Sequence, residues 1–168
     1  RCDAAVTRAT RALERARRDN DEVLVFWAEG LLCDAHARKG EPMRHLKQLE
    51  RALQNAPAEM LPQVRFEAKL RWLATSLACG EGESVVADAI ALTNQAVANR
   101  DGGAVARSGF LLAQAELTAG RPVEALRHAE WVQAIVKQTP IDGPPRHSIE
   151  WLLASIHYQL KWFKSANA

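Results

Sequence analysis

Three glycines, Gly40, Gly80 and Gly120, stand 40 residues apart, and each closes an apolar, helix-periodic stretch and opens a turn. Glycine just past the last periodic residue is a common helix C-cap, because without a Cβ it enters the left-handed region at little cost. The segments ahead of these glycines also align: Leu31-Leu32-Cys33, then Trp72-Leu73-Ala74 with a one-residue slip, Leu111-Leu112-Ala113, and Leu152-Leu153-Ala154. Leu160 falls at the next step, with Lys161 as the expected turn residue. Such a recurrence describes helical hairpins that cannot bury their apolar stripes alone and must stack on their neighbours.

Helical periodicity runs nearly throughout, and no segment alternates as a strand does. It predicts helices over 3–19, 22–39, 42–55, 61–79, 84–100, 103–119, 122–138 and 147–160, and the start of a ninth at Phe163. In the first, Ala5, Ala9, Ala12, Leu13 and Ala16 are expected to face inward; in the second, Leu24, Trp27, Leu31, Leu32 and Ala35. Pro42 suits the first position of a helix, where its missing N–H costs nothing. Gly102-Gly103 reads as a hairpin turn, and Thr139 to Pro145 is the strongest breaker in the chain.

At 168 residues the chain is long enough to bury a core without disulfides or metals, and its 48% hydrophobic and 25% charged residues are globular values. A net charge of +2 is too small to imply a nucleic-acid or membrane partner for the fragment. No run of about 18 apolar residues exists to span a bilayer. Cys2, Cys33 and Cys79 are odd in number and widely spaced, which argues for a reducing compartment and a cytoplasmic location. With no starting Met, the sequence reads as one repeat domain, 1–168, cut from a longer protein.

No catalytic or metal constellation can be assembled. His36, His45, His128, His147 and His157 include no H-x-x-x-H pair, and Cys33 lies on an apolar stripe that disfavours a thiolate. Gly80-Glu81-Gly82-Glu83 lacks the third glycine and preceding strand of a phosphate loop, and its carboxylates would repel phosphate. The expectation is therefore no enzyme, no cofactor and no metal. Arg8, Arg11, Arg15 and Arg18 share one helical face, a pattern open to nucleic acid or an acidic partner. With no aromatic beside them and Asp19, Asp21 and Glu22 following directly, it reads rather as a solvated outer surface or a junction with an upstream helix. Most of the five tryptophans are expected in the core.

Gly120-Arg121-Pro122-Val123-Glu124-Ala125-Leu126 resembles the turn and second-helix start of a tetratricopeptide repeat. Ala52 to Pro57 resembles the end of such a repeat, and Leu153 to Leu160 a first helix. Here the period is 40, where the family's is about 34. The likeness is to the longer, irregular repeats of bacterial multidomain regulators, such as LuxR-type activators similar to the maltose regulator and repeat-bearing diguanylate cyclases. The resemblance implies an all-α, right-handed superhelix of antiparallel helix-turn-helix pairs. It implies a regulatory module that binds a protein or peptide segment, a small signal molecule, or a second copy of itself, with DNA binding or catalysis in a domain outside this chain. Carried over through the turn glycines, it places Trp27, Asp34, Arg38, Arg71, Thr75, Arg107, Phe110, Gln114, Trp151, Ser155 and Tyr158 on the concave face. Three arginines there would hold carboxylates, and the aromatics would anchor apolar side chains.

Overall fold

The computed structural model describes residues 2–37, 43–54, 56, 60–138 and 143–166. Every regular element among them is an α-helix: α1 (Cys2–Arg18), α2 (Glu22–Ala37), α3 (Met43–Gln54), α4 (Pro62–Ala78), α5 (Gly82–Ala98), α6 (Gly102–Thr118), α7 (Pro122–Gln138) and α8 (Arg146–Ala166). They form two compact units, Arg1–Cys79 and Gly80–Ala168. No helix among the described residues is long and apolar enough to cross a membrane.

The turns after α1, α4, α5 and α6 share one backbone feature. Asn20, Gly80, Arg100 and Gly120 all have positive φ, at 52, 84, 55 and 74°. After α1 the Asp21 amide donates to the Ala16 carbonyl at 3.0 Å and the Asn20 amide to Arg17 at 3.3 Å. After α5 the Asp101 and Arg100 amides reach Ala96 and Val97, and after α6 the Arg121 and Gly120 amides reach Glu116 and Leu117. This paired closure satisfies carbonyls that the helix end would otherwise leave orphaned. In two of these turns the residue after the left-handed one is an aspartate that caps the next helix. The side chains of Asp21 and Asp101 accept from the amides of Leu24 and Ala104, each at 2.9 Å, as N-caps do. α4 and α7 instead open on Pro62 and Pro122, whose fixed φ suits the first helical position.

In the first unit α2 is central, packed against α1, α3 and α4. Ala9 and Leu13 of α1 meet Ala28 and Leu32 of α2, and Phe26 of α2 meets Leu49, Met60 and Ala68. In the second unit α6 takes the middle place, packed against α5, α7 and α8. Ala113 joins Ala125, Ala129, Leu152 and Ile156 in one cluster, and Ala106 joins Val132 and Ile149 in another. Alanines at these crossings let the axes approach closely, and Gly109 does so between α6 and α7: a Cβ there would lie 2.8 Å from Val132 Cγ2.

Several expectations need correction. Gly102 and Gly103 form the first turn of α6 and are not a loop, because the Asp101 cap starts the helix just before them. α8 runs unbroken to Ala166, so Lys161 is no turn residue; Leu160-Lys161-Trp162-Phe163 contains no helix breaker, and Leu160 packs against the core. Ala5, Ala12, Leu24 and Leu31 are exposed. Among the tryptophans, Trp151 is 68% exposed and Trp131 is also exposed, so these two are not core residues.

Candidate functional site

The expected binding residues fall into the two units. In the first, three of them converge. Trp27 and Asp34 stand seven positions apart on α2, with Gly30 between them, so all three share one stripe of the helix. Arg71, from α4, lies along that stripe. Its guanidinium carbon sits 5.1 Å from the centroid of the Trp27 ring, and its Nη1 donates to Asp34 Oδ2 at 3.2 Å. Gly30 makes room for it: a Cβ there would come within 3.2 Å of Nη1. Phe26 meets the Trp27 ring edge-on at 6.5 Å, which fixes the indole plane beneath the guanidinium. The pair is open to solvent, with side-chain exposures of 30% for Arg71 and 47% for Asp34. It is an aromatic face, a cation and an anion in one line, all half-exposed.

Thr75 does not join this surface. It is buried, and its hydroxyl donates to the Arg71 carbonyl one turn back, as a helical threonine does when nothing else competes for it. Arg38 lies outside the described residues. Trp72, one position after Arg71, turns the other way, packs against the core and donates its Nε1 proton to Glu50 at 3.3 Å.

In the second unit the expected residues are less closely grouped. Trp151, Ser155 and Tyr158 follow one another along a stripe of α8; the two aromatics are 68% and 73% exposed, and the Ser155 hydroxyl donates to the Trp151 carbonyl. Phe110 is partly buried between two core clusters and so supports the α6–α7–α8 packing. Arg107 and Gln114 are half-buried on α6, and Arg107 Nε donates to the Gly103 carbonyl at 3.4 Å.

The buried ionisable groups are dispersed. Glu29, on α2, takes Arg17 Nη2 of α1 at 3.0 Å; burial pushes its carboxyl above its ordinary value, and the arginine only partly opposes this. Glu116 is buried with Arg121 Nε 2.6 Å away, close enough for an ion pair but not aligned as a hydrogen bond. His128 Nδ1 is buried with no hydrogen-bond partner among the described residues. Burial holds this imidazole below its ordinary value, against the pull of Glu116. Among the described residues no three His, Cys, Asp or Glu side chains converge as metal ligands would. What the surface presents is a half-exposed guanidinium, paired with Asp34, against the face of an indole.

The sequence marks a helix break at Asp19-Asn20-Asp21, and Asn20, a residue type that tolerates the left-handed region, takes it there. Arg100 was missed as a turn residue because arginine is not such a type; its signal was the Asp that follows it, as Asp21 follows Asn20. Compared with known proteins, the chain matches no family model, and no curated protein or solved structure is similar enough to count as a relative.

Proposed function

We propose that this chain is a non-catalytic helical-repeat module that binds a segment of another protein, or a small anionic signal, on the outward side chains of the first helices of its hairpins. The observation that carries this reading is the recurrence of one turn. Left-handed residues fall at 20, 80, 100 and 120, and α4, α5, α6 and α7, each 17 residues long, begin at Pro62, Gly82, Gly102 and Pro122. That spacing, one helix every 20 residues, supports a hairpin repeating every 40, with a right-handed superhelix as the way we propose such hairpins stack. The reading agrees with the resemblance to tetratricopeptide repeats. It makes the chain the cytoplasmic sensing or oligomerising arm of a larger regulator whose DNA-binding or catalytic domain lies elsewhere.

The Trp27–Asp34–Arg71 line fits the recognition step. A ligand carboxylate takes the place of Asp34 on the guanidinium while an apolar group covers the indole, so the arginine stays paired in both states. Peptides selected from a random library against the intact chain should include acidic and apolar residues. Trp27→Ala combined with Arg71→Ala should weaken them by more than about 2 kcal/mol, as loss of an aromatic–arginine anchor does, with helicity retained. Selected peptides that bind this double variant and a Trp151→Ala/Tyr158→Ala variant as they bind the parent would overturn the reading.

A further inference from the structure

The outer face of α1 is used neither by the core nor by the surface just described. The helix buries Ala9, Leu13 and Ala16 and turns Arg8, Arg11, Arg15 and Arg18 to solvent. These four stand three, four and three residues apart, which makes a straight row of about 15 Å at 1.5 Å rise per residue. α1 carries five arginines against Asp3 and Glu14, a surplus larger than the net +2 of the whole chain, so the rest of the molecule is slightly acidic. Little of the row's charge is spent internally. Arg15 meets Asp19 at 3.8 Å with both side chains largely exposed, and Arg18 Nε reaches the Glu14 carbonyl at 3.3 Å. Arg17, off the row, is the one that pairs with Glu29.

Three features say what the row fits. Ala4, Thr7, Ala12 and Glu14 are the exposed residues beside the arginines. Ala4, in line with the row, and the short Thr7 and Ala12 leave room for a second helix to lie alongside at an ordinary interaxial distance of about 8–10 Å, with Glu14 at the edge of the row. No aromatic on this helix offers a base a stacking face. Carboxylates stop the positive field at both ends, Asp3 on one side and Asp19, Asp21 and Glu22 on the other, so a polyanion running past the row meets repulsion.

We propose that the arginine row of α1 docks an acidic α-helical segment of a partner protein, with carboxylates on one face at the matching three-four-three spacing. Each guanidinium then takes one carboxylate through its planar fork, and the alanines admit the partner's backbone. This surface is independent of the Trp27–Arg71 line and stands or falls apart from it.

The test uses the intact 168-residue chain and a labelled, alanine-based helical peptide of about 15 residues with four glutamates at that spacing, read by fluorescence anisotropy. A peptide of the same composition with scrambled spacing, a duplex DNA of similar length and phosphatidylserine vesicles serve as comparison arms. The spaced peptide should bind about tenfold tighter than the scrambled one, and binding should fall as salt rises, because the pairs are exposed and screened. Arg11→Glu with Arg15→Glu should abolish it while leaving the circular dichroism spectrum unchanged. A peptide with lysines at its two middle positions should then bind the charge-reversed protein. Equal binding of spaced and scrambled peptides, no peptide binding, no rescue by the lysine peptide, or tighter binding to DNA or vesicles would each overturn the proposal.

Discussion

At Gly120 φ is 74°, and nothing lies within 4 Å of the place a Cβ would occupy. A side chain there meets no neighbour, so any cost of substitution is the backbone's own. Gly120→Val should destabilise the protein by about 1 kcal/mol or more, since a β-branched residue is poorly tolerated in the left-handed region. Arg100 adopts the same conformation at φ 55° with a side chain already in place. Arg100→Gly relieves roughly 1–2 kcal/mol of strain but loosens the unfolded chain by about 0.5–1 kcal/mol, which leaves a gain of at most about 1.5 kcal/mol. Denaturant midpoints of the two variants should move in opposite directions. An unmoved midpoint for Gly120→Val would mean that the turn carries no left-handed strain.

Among the helices, Gly30 of α2 and Gly109 of α6 look alike in sequence, each a glycine in mid-helix, where alanine gains about 1 kcal/mol from propensity alone. Their neighbours decide the outcome. A Cβ at Gly30 meets the far end of Arg71, a flexible side chain that can shift by a few tenths of an ångström. A Cβ at Gly109 meets Val132 at 2.8 Å and Trp131 at 3.2 Å, both anchored on α7 at a tight crossing. Gly30→Ala should therefore leave stability unchanged or raise it slightly. Gly109→Ala should lower it by about 1–3 kcal/mol, as overpacking does. Thermal melts of both variants check the contrast, and equal shifts would show that the α6–α7 crossing has slack.

Over the whole molecule, acid should act on the two units with opposite sign. His128, in the second unit, is held below its ordinary value of 6.5 by burial, so between that value and its folded one the unfolded chain takes up the proton that the folded chain refuses. Stability there is full above pH 6.5 and falls as the pH drops through that window. Glu29, in the first unit, is held above 4.5, so its contribution is present below 4.5 and is lost as pH rises through its folded value. Hydrogen exchange, corrected for intrinsic rates, should show α6 and α7 losing protection as pH drops below 6.5, and His128→Gln should remove that dependence. A dependence unchanged by the substitution would assign the effect to another group. The helices were legible in the sequence to within about two residues at most ends, because caps, breakers and propensity act over a few neighbours. The exposed arginine face of α1 was legible for the same reason, since a lone amphipathic helix has one apolar side to bury. The inward face of α2 was not: with Phe26, Ala28 and Leu32 buried and Leu24 and Leu31 exposed, this helix is apolar nearly all round, and periodicity names no single face. That Arg71 meets Asp34 and Trp27 while Thr75 turns inward depends on how α4 crosses α2, a matter of packing between residues nearly forty positions apart. Local chemistry in the sequence determined where the helices start and stop; which polar side chains meet was decided only by tertiary packing, because burial and closest approach are properties of two helices together.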